Sequence, residues 1–305
     1  MRMILAICSA VLMAGCTGEM AVDESEAALS GGELRPSGRG FLTRDGAVSG
    51  QAKPGGGSSS NGINYHGGPV MLRTVNVYYI WYGSWSGNTA TTILTNFISN
   101  LGGSPYEHIN TTYYDGSSRH VAGAIHYAGA VNDSYSQGTT LSDAGVQAVV
   151  ANAISSGALP NDTNGLYFVL TSADVNESSG FCTQYCGWHN HATLSGSDIK
   201  YAFVGNPDRC PTACAAQTVG PNGNAGADGM TSIIAHESEE AISDPDLNAW
   251  YDRRGNENAD KCAWTFGTES TASNGAKYNV KLGGAPYLIQ QNWVNASGGY
   301  CAMSY

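Results

Sequence analysis

The sequence predicts one α/β domain with a mixed, mainly parallel sheet and disulfide-stabilised loops. The chain has 305 residues, of which 42% are hydrophobic and 10% aromatic, and this content suffices for one substantial core. Apolar runs typical of buried strands alternate along the chain with apolar stripes at helical spacing. Only 13% of the residues are charged, which makes a coiled coil a poor fit.

The first predicted elements are a strand, a helix and a second strand region. Residues 75–81 (VNVYYIW) form the first strand. The apolar side chains within residues 93–101 form a stripe on a helix that Asn88 is expected to cap. A second strand region covers residues 111–114 and 120–130.

Another helix and two further strands follow. Ser142 is a good N-cap, and the apolar stripe after it ends at Gly157, which predicts a helix between these residues. Residues 166–170 (LYFVL) are a continuous apolar run suited to a central strand, and residues 201–204 (YAFV) are a shorter one. This alternation indicates an α/β layer.

The N-terminus has the pattern of an export signal. Arg2 precedes an apolar run at residues 4–13, too short to span a bilayer, and residues 12–16 (LMAGC) resemble a bacterial lipobox. We predict a lipoprotein-type signal peptide at residues 1–15 and lipidation of Cys16, so that a lipid holds the protein on the bacterial cell envelope. An ordinary signal peptide with a chance cysteine is the alternative, and it would give a secreted protein.

The region after the signal is predicted to lack a core of its own. Residues 16–62 are rich in glycine, serine and proline, as in KPGGGSSSNG at residues 53–62, and have almost no periodic apolar pattern. We interpret them as a flexible tether or a removable pro-segment. Residues 63–305 then form the domain.

Charge and cysteine content restrict the partners and the compartment. With 14 basic and 25 acidic residues the net charge is −11, which repels phosphate backbones and disfavours nucleic acid as a partner. Six cysteines remain after the signal, and their even number in an exported chain favours disulfides. The predicted pairs are Cys182–Cys186, Cys210–Cys214 and Cys262–Cys301. A zinc site made from the two C-x3-C pairs is the alternative.

One predicted helix carries the residues with the most chemistry. It begins at Asp228 as its cap and ends at Asp244, before a proline. At about 100° per residue, Glu237 falls within the apolar arc, and His236, Glu240 and Asp244 form a row at its edge. A buried carboxylate needs a partner, and a bound cation is a natural one.

The spacing within this helix resembles that of the zinc hydrolases. His236 and Glu240 stand four residues apart, as the two ligands do in H-E-x-x-H, and Glu237 occupies the place of the general base. Asp260, twenty residues after Glu240, is the expected third ligand, with Glu257 as its substitute. The predicted domain is therefore zincin-like and holds Zn²⁺, although this oxygen-rich ligand set also suits Mn²⁺ or Ca²⁺.

Other interpretations of these residues stay open. The acidic helix end is alternatively a solvated face or a metal-free hydrogen-bonded network. Asp244, His189 and His191 are alternate ligands, but the two histidines are equally interpreted as ordinary loop residues. The aromatic residues near the site either form a substrate wall or simply pack in the core. These aromatic residues are Trp250, Tyr251 and Trp264.

Short motifs between residues 65 and 230 carry a family resemblance. They are YHGGPV at 65–70, IWYG at 80–83, CGWH at 186–189, AFVGN at 202–206 with CPTAC at 210–214, and DGM at 228–230. In this order they resemble the phosphate-induced protein 1, or EXORDIUM, family of plant extracellular proteins. The resemblance implies a bacterial member that is exported and surface-associated, with no established catalysis. We expect plant members to lack His236, Glu237 and Glu240, as a zincin scaffold that lost its metal would.

Two functions from different classes follow. The first is an exported metallohydrolase, foremost a zinc peptidase, that acts on extracellular peptides or cell-wall material; His236, Glu240 and Asp260 bind the ion and Glu237 takes a proton from the attacking water. The second is a non-catalytic EXORDIUM-like adhesion or carbohydrate-binding module, which uses exposed tyrosines and tryptophans. A site with Glu237 facing a cleft favours the first, and a closed site favours the second.

Overall fold

The structure, a computed structural model, describes residues 34–50 and 62–305. Its strands are β1 (Phe41–Leu42), β2 (Asn64–Tyr65), β3 (Val75–Tyr82), β4 (Ile125–Asp133), β5 (Thr140–Leu141), β6 (Gly165–Thr171), β7 (Asn176–Glu177), β8 (Tyr185–Leu194), β9 (Ser197–Val204), β10 (Trp250–Tyr251), β11 (Ser270–Thr271), β12 (Lys277–Tyr278), β13 (Val280–Leu282), β14 (Ala285–Tyr287), β15 (Asn292–Val294) and β16 (Tyr300–Ala302). Its helices are α1 (Arg44–Gly50), α2 (Ala90–Leu101), α3 (Asp143–Ser155), α4 (Pro211–Cys214) and α5 (Ala225–Ser243). Short 3-10 turns lie at Glu107–Thr112, Pro207–Arg209 and Asp260–Cys262.

A six-stranded mixed sheet in the order β1-β8-β9-β6-β3-β4 forms the centre of the fold. The pairs β9/β6, β6/β3 and β3/β4 are parallel, whereas β8 pairs antiparallel with both β9 and β1. The steps from β3 to β4 and from β4 to β6 run in opposite directions, so right-handed crossovers put α2 and α3 on opposite faces. The prediction of a mixed α/β fold is confirmed.

The apolar runs of the sequence form the central strands. All seven residues of β6 are buried, as expected for a strand covered on both faces, and β3 and β9 are buried over most of their length. The predicted N-cap at Ser142 is also confirmed, because its hydroxyl accepts a hydrogen bond from Gly145 N at 3.1 Å.

Three predicted boundaries differ from the structure. Thr89, not Asn88, precedes α2, although Asn88 Oδ1 accepts from Ala90 N at 2.9 Å. The strand expected in residues 111–130 is confined to β4, since residues 107–112 form a 3-10 turn. Helix α5 is capped by Asn224, not by Asp228, whose carboxylate instead accepts hydrogen bonds from Asn222.

Residues 34–47 lie within the predicted tether but pack on the domain. Strand β1 adds to the outer edge of β8, with Phe41 opposite Gly187 and Leu42 opposite Tyr185. The Phe41 side chain is 2% exposed. A two-residue strand with glycines before it has no recognisable period in sequence, so the pattern gave no signal of this contact. Residues 1–15 and Cys16 lie outside the described residues.

Helix α5 is enclosed by the rest of the domain. It contacts α2 and the strands β8 and β9, and 17 of its 19 residues are buried. The sequence predicted an apolar stripe with a polar edge, yet the acidic side chains of this helix are also buried. Within the described part of the chain, no helix is both long and apolar enough to span a membrane.

The disulfides correct two of the three predicted pairings. Cys262–Cys301 is confirmed, but Cys182 is bonded to Cys210 and Cys186 to Cys214, each across 28 residues. The two local pairs and the four-cysteine zinc site are therefore wrong. The start of β8 lies against the turn before α4, which brings each cysteine opposite a distant partner. Three disulfides indicate an oxidising compartment outside the cytosol.

We expect peptide mapping to distinguish disulfides between the two C-x3-C motifs from the local pairs within each motif. Chymotryptic cleavage after Tyr185 in the denatured, unreduced protein separates Cys182 from Cys186. Each of the two resulting peptides should stay linked to the peptide that contains Cys210 and Cys214. Mass spectrometry should thus find one three-peptide species and no free thiol. Two separate species, with the Cys182 and Cys186 peptides linked to each other, would contradict the pairing.

Candidate metal centre

The candidate ligands lie together at the C-terminal half of α5. His236, Glu237 and Glu240 are all 0% exposed. One helical turn separates His236 from Glu240, so both side chains point to the same side, where the turn at Asp260–Cys262 covers them. The structure therefore brings together the residues that the sequence selected.

The first ligand group is formed by His236, Glu240 and Asp260. His236 Nε2 lies 2.9 Å from Glu240 Oε1 and 3.7 Å from Asp260 Oδ1. Two ligands of a tetrahedral ion with bonds of about 2.1 Å are about 3.4 Å apart, and the two distances lie on either side of this value. Asp260 N also donates to Glu240 Oε1 at 3.1 Å and fixes the turn against the helix.

A second group shares Glu240 with the first. It consists of His189, Glu240 and Glu257. His189 Nε2 lies 3.2 Å from Glu257 Oε2 and 3.9 Å from Glu240 Oε2. His189 is on β8 and 1% exposed, so it is not the loop histidine that the sequence allowed. The alternates His189 and Glu257 thus adjoin the three predicted ligands.

The two groups contain several buried carboxyl groups and no permanently charged basic residue. Burial, and then the charge of neighbouring carboxylates, raises the pKa of Glu237, Glu257 and Asp260. Among the described residues, the basic groups within ion-pair distance of these acids are His189 and His236. Burial lowers the pKa of these histidines to about 3 and about 4, so they are neutral and do not balance the charge of the carboxylates.

Gln290 contacts the far side of the His236 ring. Its Nε2 lies within hydrogen-bond distance of His236 Nδ1 and also donates to Ala259 O at 3.3 Å. As an amide donor it places the ring proton on Nε2, whereas a metal bound at Nε2 requires the proton on Nδ1. Turning the amide over would let its oxygen accept from Nδ1. The sequence gave no signal of this residue.

The remaining predicted residues have other roles. Asp244 accepts backbone hydrogen bonds from Asn248 and Ala249, both at 2.6 Å, and so closes the end of α5. His191 is partly exposed and belongs to a surface cluster with Asp198 and Asp246 that also contains Lys200. Trp250 and Tyr251 are buried in β10, and Trp264 packs against Phe41.

Glu239 turns away from the ligand groups and faces Glu107. Both carboxyl groups are fully buried, and the hydrogen-bond partner of the Glu107 carboxyl group is the carboxyl group of Glu239. Burial raises the pKa of Glu107 to about 8, and Asn292 donates to Glu239 Oε2 at 2.6 Å. This acid pair therefore holds a proton at neutral pH. The sequence did not reveal it, because Glu107 comes from a distant turn.

The N-terminal segment closes the site. Phe41 N donates to Glu237 Oε1 at 3.3 Å, and Glu237 Oε2 has no partner. A Cβ atom on Gly40 would lie 2.0 Å from Glu240 Oε2 and 2.5 Å from His236 Nε2. Glycine is therefore required at this position, and its missing side chain leaves space between two candidate ligands.

The similarity of the chain to known proteins indicates the same family as the sequence motifs. The family model for the phosphate-induced protein 1 conserved region matches residues 63–301, which is most of the chain. The chain belongs to this family. Its curated members include EXORDIUM-like 3 of Arabidopsis thaliana. This relative is 32% identical over an alignment of 279 residues, with 78% of this chain and 82% of the relative covered.

Other members of the phosphate-induced protein 1 family are similar over comparable lengths. EXORDIUM-like 5 of Arabidopsis thaliana is 31% identical over 273 residues, with 76% of this chain and 75% of the relative covered. The PHOSPHATE-INDUCED 1 protein of Nicotiana tabacum is 25% identical over 218 residues, with 62% and 67% covered. No solved structure matches the chain with significance.

We expect the buried acid pair to make stability depend on pH. The pKa of Glu107 is raised from 4.5 to about 8 in the folded protein, so the unfolded chain releases this proton first and stability falls as pH rises through that interval. Glu107→Gln should flatten the decline of Tm between pH 5 and 8, measured in the presence of a chelator. The exposed Glu269→Gln is the control. Parallel curves for wild type and Glu107→Gln would refute the assignment.

Proposed function

We propose that the protein is an exported metal-dependent hydrolase, foremost a peptidase. The observation that carries the proposal is the convergence of His236, Glu240 and Asp260 on one point beside Glu237, with all but Asp260 fully buried. Buried acids at such distances repel one another unless a cation lies between them or they hold a proton. The three residues would balance a divalent ion with two carboxylates and one neutral imidazole.

The side chains divide the work of hydrolysis between them. A divalent ion held here supplies a Lewis acid that polarises a carbonyl group. Glu237 removes a proton from the attacking water and delivers it to the leaving nitrogen. Its position supports this role, because Oε1 already accepts from a backbone amide, that of Phe41, while Oε2 is free to accept a proton.

Zinc is the ion expected first, because an imidazole and carboxylates at this spacing form a compact set. Mn²⁺ and Ca²⁺ remain alternatives, since the adjoining Glu257 and His189 can add ligands to an oxygen-rich site.

Variants of α5 should separate metal binding from catalysis. Wild type, dialysed without chelator, should hold about one equivalent of metal by elemental mass spectrometry. Glu237→Gln should keep the metal and hydrolyse a fluorogenic peptide library at least ~100-fold more slowly, and His236→Ala should lose both. Glu239→Gln is the matched control, because its side chain faces Glu107.

Two results would oppose the proposal. Full activity in Glu237→Gln would contradict the role of Glu237 as general base. A wild-type protein without metal would contradict the proposal of a metal-dependent hydrolase.

The second candidate is a non-catalytic adhesion or carbohydrate-binding module. Closure of the site favours it, since His236 and Glu237 are inaccessible in this conformation, and so does the Gln290 contact, which suits a metal-free network. The expected sugar-binding tryptophans are not among the exposed large hydrophobic residues described, although Tyr300 and Tyr305 are. A metal-free wild type that binds cell-wall polysaccharide would support this function.

A further inference from the structure

We propose that residues 38–43 occupy the groove in which the protein binds its peptide substrate. The groove selects a chain with arginine, glycine and an aromatic residue in succession, as in Arg39, Gly40 and Phe41, where Leu42 N donates to Gly40 O at 2.8 Å in a tight turn. This inference rests on the proposed hydrolase, because it names the substrate class of that same site.

Main-chain hydrogen bonds hold the segment along the edge of β8. His189 N donates to Gly38 O at 2.8 Å, and Thr43 N donates to Gln184 O at 3.0 Å. Trp264 Nε1 donates to Leu42 O at 3.0 Å from the other side. The other edge of β8 is already paired with β9. Without β1, β8 would be an open strand edge, which binds extended peptides by adding a strand.

A built pocket receives Arg39. Its guanidinium donates to Ser179 Oγ at 2.9 Å and pairs with Asp143, and Cζ lies 4.8 Å from the centre of the Tyr185 ring. A carboxylate, a hydroxyl and an aromatic face are the groups that recognise a guanidinium. The contact also bridges the segment to the N-terminus of α3, where Asp143 lies.

The next position admits only glycine. A Cβ atom on Gly40 would overlap Glu240 and His236, and the neighbouring Gly38 would meet His189 O at 2.1 Å in the same way. A substrate with a side chain at the Gly40 position would take the space between the candidate ligands. The groove therefore distinguishes glycine from alanine by exclusion.

The third position accepts an aromatic ring and places the peptide bond before it beside Glu237. The Phe41 ring packs edge-on against His236 at 5.1 Å and against Trp264 at 5.3 Å. Its amide nitrogen faces Glu237. Hydrolysis of a substrate in this register breaks the bond from the glycine carbonyl carbon to the aromatic residue's nitrogen. The oxygen of water joins that carbon, and Glu237 carries the proton to the nitrogen.

The test uses the full chain and a labelled peptide with the sequence of residues 36–43. In Gly40→Ala the added methyl should expel the tethered segment, which otherwise competes at high effective concentration. Fluorescence anisotropy should show the peptide binding at least ~10-fold more tightly to Gly40→Ala than to wild type. Ser37→Ala, an exposed change in the same segment, should behave as wild type. Hydrogen exchange at residues 185–189 should rise in Gly40→Ala and stay unchanged in Ser37→Ala.

A second variant and a second peptide distinguish release of the segment from a folding defect in Gly40→Ala. Arg39→Glu places two carboxylates together at Asp143 and should release the segment by a different route. A peptide with alanine at the position of Gly40 should bind neither variant. Equal binding of the glycine and alanine peptides, or no binding to either variant, would overturn the inference.

The failure of the two proposals can be told apart. Binding is measured with chelator and with added zinc, and the products of the zinc reaction are identified by mass spectrometry. Peptide binding that is followed by no cleavage in added zinc would contradict the hydrolase but not the groove. Cleavage of unrelated peptides, without tighter binding of the glycine peptide than of the alanine peptide, would contradict the groove but not the hydrolase. Cleavage of the peptide elsewhere than between glycine and phenylalanine would overturn the register.

Discussion

Burial of acidic side chains on α5 is the constraint that shapes the rest of the site. Glu237, Glu239 and Glu240 all lie inside the domain, where each ionised carboxylate costs several kcal/mol without a partner. Two solutions coexist on one helix. Glu239 pairs with Glu107 around a proton, whereas Glu240 is shared by two groups, each with one histidine and one further carboxylate.

The sequence revealed the elements whose signal is local. Helix α3 and strand β6 follow directly from capping and apolar runs, and the spacing of His236 and Glu240 selected residues that the fold brings together. Contacts between distant segments were less accessible. His189 joins the site only through the pairing of β8 with β9, and Glu107 only through a turn that packs on α5.

The same limit explains the two wrong disulfide pairs and the packing of residues 38 and 40, which the sequence did not indicate. Two C-x3-C pairs allow three connectivities, and only the approach of β8 to the turn before α4 selects the crossed one. The glycines at residues 38 and 40 are typical of a linker by composition, yet close backbone contact demands them. Composition does not distinguish a glycine that makes the backbone flexible from one that allows the backbone to lie close to its neighbours.

The crossed disulfides have a mechanical consequence for the wall of the site. One covalent bond between two segments acts as a swivel, but two bonds placed four residues apart fix the angle as well as the separation. Cys182 and Cys186 flank Tyr185, and Gly187 follows directly. The two disulfides thus hold the turn before β8 and the start of β8 in a fixed orientation against α4. This part of β8 can keep its shape when a neighbouring strand comes or goes.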